Sequence, residues 1–222
     1  MTVNLELQEN TELLEQFRET RSRTLELVKN LKKDDFVVQT AAYMSPPKWH
    51  IGHVSWIYEA IISKLDKNYE FHSKEFSEYL NSYYQQFGIP HDKALRGITS
   101  RPTVDEIFQY FNTINQKVEK FLESRELNEE EEKLIVTGFH HECQHQELLV
   151  YDLQHLLAEQ YLPVKKNKIK VQQHKQKEFV EIKGGIYTMG HNGKDYCYDI
   201  ELPEHKTYLQ NFKMGIFSIT NQ

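Results

Sequence analysis

The stretch NEEEEKLIVTGFHHECQHQELLVYDLQHLLAE, residues 128–159, decides the fold class. It begins at Asn128 and continues with glutamates at positions 129 to 132, which favour the positive end of a helix dipole. The stretch therefore predicts a long helix that starts at Asn128 and ends at about Glu159.

Three earlier segments also have helical periodicity. The first is residues 10–31, whose apolar and polar positions form an amphipathic pattern. The second begins with Ser45 as the expected cap and Pro46 in the first turn, and the third begins with a capping box of Thr103 and Glu106. Four helices of this length predict a mainly α protein with a four-helix bundle.

The composition changes after the fourth helix. Residues 162–178 are basic, polar and weakly periodic, as expected of a linker between a helical domain at 1–161 and a strand-containing region at 179–222. The segment FVEIKGGIYTMG, residues 179–190, alternates and then meets glycines, which is typical of a strand entering a hairpin.

Charge and composition exclude some classes of partner. The chain has 27 basic and 33 acidic residues, a net charge of -6 and no long cationic stripe, so nucleic acid is not expected to bind. No apolar run approaches the ~20 residues needed to cross a bilayer, so no membrane association is expected. Two isolated cysteines, Cys143 and Cys197, do not form a disulfide framework, and a cytoplasmic location is expected.

The fourth helix carries a pair of candidate metal ligands. His141 and His145 are four residues apart, so their side chains lie on one face and can reach the same ion. They share a stripe that is expected to face the interior, with Gly138, Leu148 and Asp152. His140 is expected to point elsewhere, and Cys143 to be a buried packing residue.

The second helix provides a third histidine. His53 lies on the same face as Trp49 and Trp56 and is expected to point inward, whereas His50 is rotated away and is expected at the surface or the mouth of a cleft. Three inward histidines can form a metal site with open positions, which suits zinc, iron, nickel or copper. The alternative is a set of half-buried histidines satisfied by hydrogen bonds alone.

His141 to His145 also fits the H-E-x-x-H pattern of zinc proteases, with Glu142 in the place of the base. That interpretation needs a further ligand downstream and a strand edge to hold a peptide. The helix follows another predicted helix, and no ligand-bearing helix precedes the basic segment that starts at Lys165. A metalloprotease is therefore disfavoured.

Five segments resemble one family in their order along the chain. SPPKWHIGH (45–53), NSYYQQFGIPHDKALRGITSRPTVDEI (81–107) and HHECQHQELL (140–149) resemble the DinB-like domain of ergothioneine-biosynthesis sulfoxide synthases. FVEIKGGIYTMG (179–190) and LPEHKTYLQNFKMGIFSITN (202–221) resemble the start of the formylglycine-generating-enzyme-like domain that follows in that family.

The resemblance implies a DinB-like four-helix bundle at 1–161 and, at 179–222, the first strands of a C-type-lectin-like α+β domain. It implies a non-haem iron(II) enzyme that uses dioxygen to join a thiol, cysteine or γ-glutamylcysteine, to the imidazole of trimethylhistidine (hercynine). By motif, the iron ligands are His53, His141 and His145.

The resemblance also implies residues that bind the substrate. In the family, arginines between the second and third helices hold the carboxylates of the thiol substrate, and Arg96 and Arg101 lie in that region. The alternative for Arg101 is a pair with Asp105 at the helix start. The catalytic residues are expected beyond Gln222, so the chain is expected to be incomplete for activity.

Other functions remain open from the sequence. One is a DinB-like thiol transferase that uses a divalent metal at the same histidines, and another is a near relative that makes a selenium compound. A non-catalytic bundle whose histidines are core residues is the third.

Overall fold

The computed structural model describes residues 3–82, 89–162, 178–194 and 196–218, with side chains described from residue 11 onward. The chain divides into two compact units, residues 1–165 and 166–222. The expected linker lies almost wholly outside the described residues, as do Tyr83 and Tyr84 of the family-like segment.

The described part of the first unit is mainly helical. Its helices, in chain order, are α1 (Val3–Val28), α2 (Pro47–Leu65), α3 (Lys74–Leu80), α4 (Val104–Ser124) and α5 (Glu129–Ala158). The four long helices confirm the helices expected from periodicity. The short α3 was not predicted, because seven residues are too few to reveal a helical period.

Helix α2 occupies the centre of this unit. It packs against α4 and α5, and α1 packs against α5 and α4. Every residue of α2 from Pro47 to Ile62 is buried. Helix α2 therefore has no solvent face over this length, and its polar side chains need partners inside the protein.

The structure confirms the capping box predicted for α4 and the start predicted for α5 at Asn128. Glu106 N donates to Thr103 Oγ1 at 3.2 Å and Thr103 N donates to Glu106 Oε2 at 2.6 Å, which completes a capping box. Asn128 Oδ1 accepts from the backbone nitrogens of Glu130 and Glu131 at 3.0 and 3.1 Å. Two of the predicted helix starts thus depend on side chains next to them in sequence.

The predicted cap of α2 is wrong. Pro46 occupies the cap position and no side-chain hydrogen bond closes the helix end. Ser45 instead contacts residues far away in sequence, since its hydroxyl accepts from Arg96 at 2.9 Å and its backbone nitrogen donates to Asp152 at 3.0 Å. Tertiary contacts have replaced the local cap.

The hydrophobic core follows the apolar stripe of α4. Within that stripe Phe108 is only partly buried, and the buried members are Val104, Ile107, Phe111, Ile114, Val118, Phe121 and Leu122. Helices α2 and α5 approach closely at Gly138, where an added Cβ would lie 2.8 Å from Tyr58 Cε1. A glycine is needed there because the Tyr58 ring is itself buried.

The described part of the second unit contains strands β1 (Phe179–Ile182), β2 (Gly185–Met189), β3 (His205–Leu209) and β4 (Phe212–Gly215). Strand β1 pairs antiparallel with β4, and β2 with β3, so the hairpin expected at residues 179–190 is not formed. A tight hairpin turn needs residues with positive φ. Gly184, between β1 and β2, does not have a positive φ. Gly190 does, at φ 85, but it follows the end of β2.

No helix in the described ranges is both long enough and apolar enough to cross a membrane.

Candidate metal centre

Three histidines from two helices converge in the first unit. His53 comes from α2, and His141 and His145 lie one turn apart on α5. Their ring centroids are 4.5 to 5.1 Å apart, and one nitrogen of each ring lies within 4.8 Å of the others. The structure thus brings together the three histidines that the sequence singled out.

Two contacts fix the ring of His53. The ring stacks on Trp49, with centroids 4.4 Å apart and planes 13° apart. Its Nδ1 donates to the carbonyl oxygen of Leu80 at 2.6 Å. A carbonyl only accepts, so Nδ1 carries the hydrogen and Nε2 keeps the lone pair that a metal needs.

His50 was expected at the surface or the mouth of a cleft, but it is buried beside the three histidines. Its side chain is only 4% exposed, because α2 is surrounded on all sides. Its Nδ1 lies 3.1 Å from Nδ1 of His145, and its Nε2 lies 2.8 Å from Oδ2 of Asp152. Asp152 was expected on the histidine stripe of α5, but its contact with His50 was not predicted.

His141 provides a test of whether the residues suit a metal. Its Nδ1 is buried and has no hydrogen-bond partner among the described residues. Burying a polar atom without a hydrogen-bond partner destabilises the folded state. A metal ion close to the imidazole would reduce this destabilisation. Three imidazoles in reach of one point, one with an unsatisfied nitrogen, fit a metal bound by three nitrogens.

The DinB superfamily model matches residues 16–149, more than half of the chain. The chain belongs to the DinB superfamily. No curated protein matches the sequence. The matched part of this DinB chain includes His50, His53, His141 and His145, and domains of the superfamily often bind metals. The histidine cluster is therefore a group of residues that could hold a metal in this DinB domain.

Burial favours the neutral form of the three clustered histidines of this DinB domain. It lowers the pKa of His53 and of His145, and in each case a nearby histidine lowers the pKa further. Burial also lowers the pKa of His141 to about 4. Neutral imidazole is the form that binds a metal, so the site is ready to coordinate an ion at neutral pH.

These pKa shifts predict how stability depends on pH. Below pH 6.5 the histidines of the unfolded chain bind protons, whereas His141 stays neutral in the folded chain until about pH 4. The unfolded state then binds more protons, so the free energy of unfolding of the metal-free chain falls as the pH is lowered through this window.

Urea midpoints measured at a series of pH values check this expectation. The decrease should be smaller in His141→Leu, which removes one of the neutral histidines. Equal slopes for the original chain and the variant across this window would contradict the proposed origin of the effect.

Glu142 does not belong to the histidine cluster. Its side chain is fully buried and faces α1, where Oε1 accepts from Arg21 Nη1 at 3.1 Å and from Thr24 Oγ1 at 2.5 Å. A protease base would have to face the metal. The H-E-x-x-H letters therefore do not correspond to a protease geometry.

The rotation of α5 differs from the one expected. Cys143 is exposed rather than buried, and Leu148 is 43% exposed. The buried face is centred on residues such as Glu142 and Leu149, roughly a quarter turn from the histidines. The histidine stripe is thus one edge of the buried face, which leaves His141 and His145 only partly buried.

Arg96 lies beside this edge. Its guanidinium carbon is 3.4 Å from the centre of the Trp49 ring, and Nη1 donates to Ser45 Oγ at 2.9 Å. The side chain is buried, its Nε has no hydrogen-bond partner, and no carboxylate in the described residues forms a salt bridge with it. Burial lowers its pKa to about 10, whereas Asp92 and Asp152 act in the opposite direction, so within the described residues Arg96 is a buried cation that has carboxylates nearby but forms no direct ion pair.

Arg101 lies apart from Arg96. It is exposed, and its Nη1 donates to the carbonyl oxygen of Ser100 at 3.2 Å. Asp105, the partner considered for it, pairs with Lys33 instead. The two arginines expected to act together are thus in different environments.

Proposed function

We propose that this chain is part of a non-haem iron(II) sulfoxide synthase of the ergothioneine-biosynthesis type. In the overall reaction a thiol S–H and an imidazole C–H of trimethylhistidine react with dioxygen. A C–S bond forms, one oxygen atom is retained on sulfur, and the other leaves as water with the two hydrogens. The observation that carries the proposal is the convergence of His53, His141 and His145 at the edge of the buried face of α5.

The three histidines would hold the iron. Each is buried or half-buried, and the pKa of each is lowered, so each offers a lone pair without first losing a proton. When bound, iron(II) supplies redox chemistry with dioxygen that none of these side chains can supply. Three imidazoles alone suit several metals, so the choice of iron comes from the resemblance in motif order.

Arg96 would bind a carboxylate of the thiol substrate. A buried guanidinium without an anion is unfavourable, and a substrate carboxylate would compensate it with charge-assisted hydrogen bonds. Trp49 contacts both the Arg96 guanidinium and the His53 ring, so the cation and the metal ligand are separated by one aromatic side chain. Arg101, being exposed, is the weaker candidate for this role.

The remaining parts of the proposal follow the order of the motifs. The first unit would be a DinB-like four-helix bundle. The second would belong to a formylglycine-generating-enzyme-like domain of C-type-lectin-like fold.

The first experiment measures thiol binding, which does not depend on turnover. The chain is loaded with cobalt(II) without oxygen and titrated with cysteine or with cysteamine, which lacks the carboxylate. Both thiols should produce a sulfur-to-cobalt charge-transfer band. Arg96→Leu should weaken cysteine binding by about tenfold or more and leave cysteamine unchanged, because one charge-assisted contact is lost.

The second experiment separates the synthase from a thiol transferase. Iron(II)-loaded chain is mixed with dioxygen, trimethylhistidine and either cysteine or γ-glutamylcysteine, and oxygen uptake is measured. Oxygen uptake that requires the thiol supports the proposal. Thiol transfer with zinc and without oxygen uptake would favour the metal-dependent transferase, which superfamily membership alone also allows.

A further inference from the structure

We infer that His50 and Asp152 are positioning residues that select the tautomer of His145 and thereby turn its Nε2 toward the metal. The inference rests on the proposed metal site and adds two residues to it. The argument follows the directions of three hydrogen bonds.

The first bond anchors the carboxylate. Oδ2 of Asp152 accepts from the backbone nitrogen of Ser45 at 3.0 Å, and a backbone N–H has no other role than donor. The same oxygen lies 2.8 Å from Nε2 of His50. A carboxylate oxygen only accepts hydrogen bonds and can accept both, so Nε2 of His50 is the donor and carries the hydrogen.

The second hydrogen bond, between His50 and His145, makes the tautomer of His145 depend on that of His50. A neutral imidazole has one N–H, so Nδ1 of His50 keeps a lone pair. Nδ1 of His145 lies 3.1 Å from it and must therefore be the donor. This leaves Nε2 of His145 as the free lone pair.

His53 also has its hydrogen on Nδ1, but a backbone carbonyl rather than a histidine accepts it. There the carbonyl oxygen of Leu80 accepts from Nδ1 and leaves Nε2 free. Outer partners of this kind orient metal-binding histidines and increase their basicity. In water, neutral imidazole favours the tautomer with the hydrogen on Nε2. The rings of His53 and His145 are therefore both held in the less common tautomer, with the hydrogen on Nδ1. For His145, the contact with His50 selects this tautomer.

A metal-free measurement tests the relay directly. Long-range proton–nitrogen NMR spectra of the full chain should place the hydrogen of His145 on Nδ1 and that of His50 on Nε2. In His50→Leu the hydrogen of His145 should move largely to Nε2. A hydrogen on Nε2 of His145 in the unaltered chain would overturn the inference, whether or not any variant folds.

Metal affinity separates positioning from packing. Zinc or cobalt(II) affinity should fall by about 10–100-fold in His50→Leu, the typical cost of losing an outer partner. His50→Asn keeps an acceptor oxygen near the position of Nδ1 and should retain most of the affinity. If His50 only fills space in an apolar region, leucine should be the better replacement and the order of the two variants should reverse.

Two further variants complete the design. His155→Leu removes another half-buried histidine of α5, which contacts Thr40 Oγ1 at 2.8 Å, and should leave metal affinity unchanged. His53→Ala reports on the metal site itself. Loss of binding in His53→Ala with unaltered binding in His50→Leu overturns the relay alone, whereas an unaltered chain that binds no metal overturns the proposed function and the relay together.

Discussion

His53→Ala, His141→Ala and His145→Ala each lower the affinity of the chain for zinc or iron(II) by more than about 100-fold. Loss of an outer partner of a metal ligand costs roughly 10–100-fold, and loss of one of three ligands should cost more. All three nitrogens lie within reach of one point, so two remaining histidines leave an incomplete site. Anaerobic titration against a coloured chelator measures the affinity and the stoichiometry.

His140→Ala is the matched control for this prediction. His140 is half-buried and adjacent to His141, yet it is not a member of the cluster found among the described residues. Its replacement should leave one metal bound per chain. Binding that survives His53→Ala but not His141→Ala or His145→Ala would contradict the site on two helices and reopen the two-histidine interpretation of H-E-x-x-H.

Glu142→Leu lowers the free energy of unfolding by about 3–5 kcal/mol, which is the typical cost of removing one partner from a buried ion pair. Arg21 and Glu142 are 3% and 0% exposed, and their contact joins α1 to α5. Arg21 also donates to Asn115 and Ser55, so its charge would remain buried and incompletely compensated. Urea unfolding followed by circular dichroism measures the change.

The double variant Arg21→Met with Glu142→Leu should be less destabilised than Glu142→Leu alone, because both buried charges are then removed. Arg18→Met, on the same helix, breaks an exposed pair with Glu119 and should have little effect. A double variant whose loss equals the sum of the two single losses would show that the pair itself contributes nothing.

This ion pair also bears on function. Glu142 lies between His141 and His145 in sequence, and its contacts with Arg21 and Thr24 fix the rotation of α5. The rotation of α5 about its own axis determines where His141 and His145 lie relative to its buried face. We therefore expect Glu142→Leu to weaken metal binding as well as stability, although Glu142 does not contact the cluster.

Local signals in the sequence were sufficient for the helices and for part of the site. Thr103 and Asn128 cap α4 and α5 through bonds to residues two or three positions away. His141 and His145 must lie on one face because of their spacing, and the tryptophan stripe of α2 pointed His53 toward the interior. These features depend on residues that are close in sequence, so periodicity and capping rules can find them.

Contacts between distant residues determined the rest. His50 is buried because α2 has neighbours on every side, and the sequence of one helix does not indicate how many neighbours it has. Its partners are 95 and 102 positions away, and Glu142 is 121 positions from Arg21. Which polar groups meet depends on how each helix is rotated about its axis and packed against the others, so only the tertiary structure decides the surroundings of the histidines.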